Sequence, residues 1–396
     1  MAKLLLIVPT LSSYEAFLSD FAEASVSAGH EVHVATQMKL LDGRSAEMLA
    51  SLNARVFLHS ILMPRGASPV AAMKAARELR GLVAEIRPDW IQAHFSAAAL
   101  VCALAKTKGW PFTSCVIQGL ACTLARGKAR LAAWFGERLA MARLDEMWVL
   151  TDDDFKVIRE WNSSKARLQK SPGFGCRIDR FNRENYSAEW RNERRTELGI
   201  QQDEFVLIYV GRLAAFKGFD KVVAAYRNLK HRGVPVRLLI LGAFDALHPS
   251  GLGEEGVYDL KNDPLVLMQG WQEDIAEWLA LSDLCVFPSE REGMPVCLME
   301  ALSMGVPVIT ANSRGCRDVV RDGVDGVVLD DASPTNLSDA INSLLDSPDQ
   351  VRNMRQAGID RREYFDRKHF IAEQFAVFHD VLKIQRDTRC AWGKEI

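Results

Sequence analysis

The sequence predicts an α/β protein of two doubly wound, Rossmann-like domains facing each other across a cleft. Three observations carry that prediction. At 396 residues the chain exceeds what one hydrophobic core usually organises. In both halves short apolar runs of strand length alternate with helical stretches, the pattern of a parallel sheet with helices on both faces. The alternation is broken once, by the turn-rich segment Ser171-Pro-Gly-Phe-Gly175, and then restarts.

In the first half, Leu4–Val8 reads as a strand, Glu15–Ala28 as a helix ended by Gly29, and Glu31–Ala35 and Val56–Leu58 as further strands. Val70–Ile86 reads as a helix that stops at Arg87-Pro88, because a residue before proline avoids the helical region. Trp90–Ala93, Phe112–Ile117 and Glu146–Leu150 continue the sheet. In the second half the strands are Phe205–Val210, Arg237–Leu241, Leu265–Met268, Leu284–Phe287 and Val306–Thr310. The expected domains are 1–172 and 173–365. A terminal segment, 366–396, opens with a helical run, Asp366–Lys383, long enough to cross back onto the first domain. Ligands of doubly wound sheets sit beyond the carboxyl ends of the strands. The residues to watch are therefore Thr10 to Tyr14, His94, Gln118 and Thr151.

The bulk properties exclude several classes. A formal net charge of −2 argues against a general nucleic-acid binder. The eight cysteines show no C-x-x-C pair or metal-like spacing, and in a chain of this size read as reduced core residues. Met1 to Val8 carries a charge at Lys3 and an apolar run ended by Pro9. It reads as an opening strand rather than a signal peptide. No apolar run approaches the roughly 18 residues that would span a bilayer. These features predict a cytoplasmic protein. There is no short-period repeat or low-complexity tract.

The segment Pro288-Ser-Glu-Arg-Glu-Gly-Met-Pro-Val-Cys-Leu-Met-Glu-Ala-Leu-Ser-Met-Gly305 carries the strongest chemical signal. It predicts a turn at Pro288, a helix from Pro295, where a missing N–H is tolerated, and a stop at Gly305. Glu300 is the only charged residue between Gly293 and Gly305. Its face of the helix is shared by Val296, Cys297 and Met304, so the helix is expected to be apolar all round and buried. A lone carboxylate there must be partnered or be a functional acceptor. Glu292 lies eight residues earlier, at the helix mouth. A second constellation follows the strand Phe205–Val210. Gly211-Arg212-Leu-Ala-Ala-Phe-Lys217-Gly-Phe-Asp220 places two cations beside a glycine that permits close backbone approach. That arrangement suits a diphosphate, which arginine can grip bidentately. The amides opening the helix from Gly293 to Cys297 add partial positive charge.

The pattern E-G-M-P-x4-E-A-L-S-M-G-V-P-V-I resembles the donor-site signature of retaining GT-B glycosyltransferases of the group 1 type, and the resemblance continues through Gly315-Cys-Arg-Asp318 and Gly323-Val-Asp-Gly326. It implies the GT-B fold, with an acceptor-binding N-terminal domain, a nucleotide-sugar-binding C-terminal domain and a last helix that packs back on the first. On that resemblance Glu292 contacts the donor sugar and Glu300 holds the ribose hydroxyls. Gly211, Arg212 and Lys217 bind the pyrophosphate, with Gly293, Met294, Pro295 and Val296 at the helix mouth and Arg291 beside the sugar. Glu290, Arg317 and Asp318 are weaker candidates. His94 looks like the family's N-domain histidine near the reacting centre. The catalytic set is then Glu292, His94, Arg212 and Lys217. The family is described as metal-independent and retaining, so neither cofactor nor metal is expected beyond the nucleotide-diphosphate sugar, UDP-linked by expectation. Capsule and lipid-linked oligosaccharide members look most similar, which implies a polysaccharide, capsule, O-antigen or lipid-linked acceptor.

Two departures stand out. Gln118 occupies a position where relatives often carry a histidine, and glutamine cannot act as a general base. The first loop, Thr10-Leu-Ser12-Ser13-Tyr14, has hydroxyls where many relatives have a Gly-Gly pair; Ser12, Ser13, Tyr14 and Gln118 are the acceptor-side candidates. Asp152-Asp-Asp154 imitates a D-x-D metal motif but follows Thr151, a good helix cap, and first-turn acids complement the helix dipole. Arg126 to Arg143 interleaves Lys128, Arg130 and Arg138 with Leu131, Trp134, Phe135 and Leu139. Such a helix can lie on the anionic inner face of a membrane, or be an ordinary surface helix with its apolar face in the core. Rival readings are a sugar-nucleotide epimerase of the same fold and a non-catalytic partner subunit. A dehydrogenase is disfavoured because no G-x-G-x-x-G follows Val8.

Overall fold

The structure is a computed structural model describing residues 1–38, 55–64, 68–245 and 248–392, with side chains to 383. The last residues of the expected terminal segment, 393–396, lie outside the described residues. Two compact units are present, one formed by Met1–Lys170 with Phe370–Ile396 and the other by Ser171–His369.

The first unit holds seven strands: β1 Lys3–Thr10, β2 Glu31–Gln37, β3 Val56–Ser60, β4 Trp90–His94, β5 Phe112–Ile117, β6 Glu146–Val149 and β7 Ala166–Leu168. Their order is β3-β2-β1-β4-β5-β6-β7, all paired parallel. The second holds β8 Phe205–Val210, β9 Val236–Leu241, β10 Val266–Gly270, β11 Leu284–Phe287, β12 Val308–Ala311 and β13 Gly326–Leu329. Their order, β10-β9-β8-β11-β12-β13, is again parallel throughout. In both sheets the order reverses beside the first strand, which opens a crevice at the strand ends. Leu4 to Val8 and Val206 to Tyr209 are essentially inaccessible, as continuous apolar runs in sheets covered on both faces should be.

The terminal helix Arg367–Trp392 contributes Phe370, Gln374 and Phe378, four residues apart and therefore on one face, to the first unit. Phe378 stacks on Trp90 with ring centroids 5.2 Å apart, and Gln92 donates to Gln374 at 2.6 Å.

Two local expectations are corrected. The single helix at 15–28 is two helices, Leu11–Phe17 and Ser19–Ser27, and the first begins directly at the end of β1. The Thr10 hydroxyl accepts from the Ser13 amide at 3.2 Å and so caps a helix where a loop was expected. The strand expected at Val306–Thr310 starts only at Val308. Gly326 opens edge strand β13. A Cβ there would lie 2.2 Å from the Val308 carbonyl oxygen, so only glycine allows the two strands to close.

Candidate active site

The loop after β8 is held open by backbone proximity. Gly211 donates to the Leu241 carbonyl at 2.9 Å and Gly242 to that of Gly270 at 2.6 Å, which knits three strand ends together. A Cβ on Gly242 would sit 1.8 Å from the Gly211 carbonyl oxygen, so the approach requires glycine. The buried Tyr209 hydroxyl donates to the Arg212 carbonyl at 2.7 Å and fixes the backbone that carries this arginine. Lys217 ends a short 3-10 turn, Ala215–Lys217, followed by Gly218 in the left-handed region at φ 75°. A Cβ on Gly218 would lie 2.5 Å from the Pro288 carbonyl oxygen, so the β8 and β11 loops touch at this point. The Glu290 amide donates to the Phe216 carbonyl at 3.0 Å and joins them further.

Side chains complete the join. Lys217 Nζ lies 2.5 Å from Glu292 Oε1, and both side chains are largely buried. Ser289 Oγ donates to the same carboxylate oxygen at 2.6 Å. The Phe216 ring lies within 5.2 Å of the Arg212 guanidinium, 5.6 Å of Lys217 Nζ and 4.4 Å of the Arg291 guanidinium. Cations gathered around an aromatic ring gain from its quadrupole where they lie over a face. Arg212, with its side chain 52% exposed, also pairs with Asp245 at 2.6 Å. Asp245 is in turn 3.1 Å from His248 Nδ1.

The following helix is Val296–Ser303, with Pro295 at its cap position rather than inside its first turn. It is not buried all round. Leu298, Met299, Ala301 and Leu302 are packed away, whereas Val296, Cys297 and Glu300 form a half-buried stripe. Burial pushes the Glu300 carboxyl up to about 7, against the opposing pull of Arg367 and Arg180. Among the described residues none donates a hydrogen bond to that carboxylate. At the helix mouth a Cβ on Gly315 would lie 2.5 Å from the Gly293 carbonyl oxygen. Asp318 accepts from the Gly315 amide at 2.8 Å and so shapes this turn. Met294 packs on Gly173, where an added Cβ would lie 3.2 Å from the Met294 Cβ.

In the first unit His94 is fully buried at the end of β4, with Nε2 3.1 Å from Gln92 Oε1. Burial lowers its imidazole to about 3, so the ring is neutral at physiological pH. The next residue, Phe95, has φ 71°, a strained value for an aromatic residue and one that turns the chain sharply into the helix Phe95–Ala105. Gln118 is half-buried and its Nε2 has no hydrogen-bond partner among the described residues. The turn that follows is anchored from below. Buried Glu137 accepts from the Ala121 and Cys122 amides at 2.7 and 3.2 Å, and Asp154 accepts from the Leu120 amide at 3.3 Å. Thr151 caps the helix Asp152–Trp161 through the Asp154 amide. The acidic triplet thus includes a structural anchor.

Residues 191–361 match the family described as glycosyl transferases group 1, and residues 14–169 match the glycosyl transferase 4-like domain. Together these span most of the chain. It belongs to the group 1 glycosyl transferases. A D-inositol 3-phosphate glycosyltransferase of Catenulispora acidiphila is 27% identical over 209 residues, 49% of this chain and 48% of that protein. The capsular polysaccharide biosynthesis glycosyltransferase CapM of Staphylococcus aureus is 23% identical over 239 residues, 59% of this chain and 61% of CapM. The matches span about half the length of such curated relatives. Among solved structures, Anabaena HepE in complex with UDP and glucose superimposes with a TM-score of 0.77 at 17% identity, over 96% of this chain and all of that one. The fold is therefore GT-B.

Within this group 1 glycosyl transferase, Gly211, Arg212, Lys217, Arg291, Glu292 and Gly293 gather on two touching loops, with Pro295, Val296 and Glu300 on the adjoining helix. Ser12 and Ser13 lie on the first turn of Leu11–Phe17, their hydroxyls 3.1 and 2.8 Å from that of Thr10. Tyr14, the third candidate on this turn, points into the core of the first unit. It is 1% exposed, because a helix starting at Leu11 turns positions 11, 14 and 18 inward. Sequence reasoning missed Tyr209, Phe216, Asp245 and Ser289, which position the charged groups. Phe216, inside the G-R-L-x3-K segment, and Ser289, inside the Pro288–Gly305 segment, lay within quoted motifs; Tyr209 and Asp245 did not.

Proposed function

We propose that this chain is a metal-independent, retaining glycosyltransferase. It moves a hexose or N-acetylhexosamine from a nucleotide-diphosphate sugar, UDP-linked by preference, to a polysaccharide, capsule, O-antigen or lipid-linked acceptor. The observation that carries this reading is the Lys217–Glu292 pair at 2.5 Å, flanked by Arg212 on one aromatic platform and by the start of Val296–Ser303. In the second unit Arg212, Lys217 and the helix-start amides face the diphosphate. The charge that grows on it as the anomeric bond breaks meets groups already in place, worth on the order of 3–4 kcal/mol per well-placed donor. These cations supply the neutralisation a divalent ion would otherwise provide. Lys217 and Ser289 hold Glu292 in one orientation toward the sugar, and Glu300 offers free acceptor oxygens to the ribose hydroxyls. In the first unit the neutral His94 and Gln118 orient hydroxyls by hydrogen bonding, which makes that unit the acceptor side.

The HepE complex carries UDP and glucose, and CapM is named for capsule synthesis, both in keeping with this donor and acceptor class. Helix Gly127–Arg143 supports peripheral membrane contact. It exposes Leu131, Trp134 and Phe135 at 57, 38 and 60%, ringed by exposed Arg126, Lys128, Arg130 and Arg138. Its one acid, Glu137, is buried. Among the described residues no helix is long and apolar enough to cross a membrane.

The test is a nucleotide-sugar panel with purified protein in EDTA, scoring thermal shift and slow donor hydrolysis. One UDP-sugar should stabilise the protein and be hydrolysed, with both effects lost in Arg212→Ala and Glu300→Ala. Interconversion of the sugar without transfer would instead identify an epimerase. Binding without turnover, even with lipid-linked acceptor, would identify a non-catalytic partner. No response to any nucleotide sugar sinks the reading.

A further inference from the structure

The second unit carries another cationic cluster, at the end of its sheet where the strands begin. Asp283 lies just before β11, and its Oδ2 accepts from the Val206 amide at the start of β8 at 3.0 Å. Arg195 donates to that same oxygen at 2.7 Å and to the Leu281 carbonyl at 2.7 Å. Arg355 lies 3.7 Å from the other oxygen, and its Nε donates to the Gly305 carbonyl at 3.1 Å. Arg191 donates to the Tyr186 carbonyl. Arg183 completes the group, and it is the anomalous member. Its Nη1 is enclosed, yet among the described residues that atom has no hydrogen-bond partner and the guanidinium has no ion pair.

Arg195 and Arg355 therefore share the Asp283 carboxylate, whose charge also reaches Arg183, while Arg191 has Glu189 as its acidic neighbour. An enclosed guanidinium N–H without an acceptor is costly, and like-charged neighbours make it more so. The burden shows in Arg183 itself, lowered to about 9 by burial and then by Arg355 and Arg191. Arg355 and Arg191 are likewise lowered, first by burial. Arg183, Arg191 and Arg355 are each half-buried rather than fully enclosed as whole residues. Nothing in the proposed transfer chemistry uses them. Gly211 and Lys217 follow the carboxyl end of β8, whereas this cluster surrounds its amino end.

We infer that Arg183, Arg191 and Arg355 form a binding site for a phosphate dianion, at the opposite end of the sheet from the proposed donor site. Guanidinium forks match the oxygen spacing of phosphate and can bind it bidentately, and a dianion supplies the acceptors the cluster lacks. Arg195, held by Asp283, adds charge without leaving its own partners. Free phosphate and a phosphomonoester of a small metabolite present the same group to these forks.

The test is thermal unfolding at constant ionic strength in rising inorganic phosphate, with glycerol phosphate as a second arm and chloride as the reference. The wild type should show a saturable rise in Tm in at least one phosphate arm, and the arm with the lower midpoint identifies the source. Arg183→Met should abolish that rise, Arg183→Lys should weaken it, and Arg212→Ala, at the other end of the sheet, should leave it intact. In chloride alone Arg183→Met should have a higher Tm than the wild type, because it removes an unpaired enclosed cation. A phosphate response that survives Arg183→Met, one that disappears with Arg212→Ala, or the lack of any saturable response overturns the site. So does a lower Tm of Arg183→Met in chloride, which would make Arg183 a structural residue.

Discussion

The strand-end groups of the two units work on opposite electrostatic terms. In the second unit they are charged and already paired: Lys217 with Glu292 at 2.5 Å, Arg212 with Asp245 at 2.6 Å. In the first they are neutral and positioned by burial. His94 is lowered to about 3, Gln118 carries no charge, and Ser12 and Ser13 share hydrogen bonds with Thr10. A leaving diphosphate demands fixed charge that needs no reorganisation, whereas an incoming hydroxyl needs orientation without a competing ion. The proposed division of labour between donor and acceptor follows from that contrast, and it can be broken at each end.

The largest effect is expected at Lys217. Lys217→Ala leaves Glu292 largely buried with only Ser289 as partner, and breaking such a pair from one side typically destabilises by about 3–5 kcal/mol. Donor turnover should fall by roughly 10²–10³, the loss seen when one preorganised donor is removed. Denaturant unfolding and single-turnover hydrolysis measure the two separately. The double variant Lys217→Met with Glu292→Gln should recover most of the stability and none of the turnover. If it recovers both, the pair is structural and the donor contact lies elsewhere.

His94 and Glu300 should respond to pH in opposite directions. The His94 imidazole, ordinarily near 6.5, is lowered to about 3 by burial. Its neutral form is favoured in the fold, so its contribution is complete above about pH 6.5 and is lost as pH falls toward 3. The loss amounts to a few kcal/mol, and His94→Gln should flatten the acid limb of a stability profile. A titration of the His94 ring near pH 6.5 by NMR would show the buried, neutral assignment to be wrong. Glu300 is the mirror case. Its carboxyl, normally near 4.5, is raised to about 7 by burial. The folded state holds the proton more tightly, so stability declines as pH rises from about 4.5 to 7 and stays lower above. Glu300→Gln should therefore gain roughly 1–3 kcal/mol at pH 8 and nothing at pH 4. The same variant should weaken nucleotide binding, since an amide accepts at only one of its two positions.

Much of this was legible in the chain itself, and the exceptions have physical causes. Runs such as Phe205–Val210 are continuous because both faces of the sheet are covered. The three-residue β7, with Arg167 at its centre, and the glycine-led β13 have no such run to show. The helix Leu11–Phe17 was obscured because Thr10, Ser12 and Ser13 read as a polar loop, although Thr10 is its cap. At the site, Arg212, Lys217 and Glu292 announced themselves as charges beside glycines, and Glu300 as the lone charge of an apolar helix. Their partners did not. Asp245 and Arg212 are 33 positions apart, Lys217 and Glu292 are 75 apart, and no local pattern encodes loops that meet only when strands align.

The smallest effect, and the sharpest probe of the comparison, is at Asp245. Its pair with the half-exposed Arg212 is the kind worth only about 0.2–1 kcal/mol, so Asp245→Asn should scarcely change the unfolding midpoint. Its consequence for ligand is larger in kind. Arg212 now shares its charge with Asp245, which a donor diphosphate must displace or outcompete. With asparagine there, the guanidinium faces the diphosphate with its full charge, and UDP should bind several-fold tighter at low salt, the gain shrinking as ionic strength rises. The first unit offers a control, because its strand-end groups are neutral: His94→Gln should leave both UDP affinity and its salt dependence unchanged. Weaker UDP binding by Asp245→Asn would mean that Asp245 aims Arg212 rather than restrains it. The pair would then belong to the preorganised donor site, and the second unit's charges would be fixed even more completely than the Lys217–Glu292 contact implies.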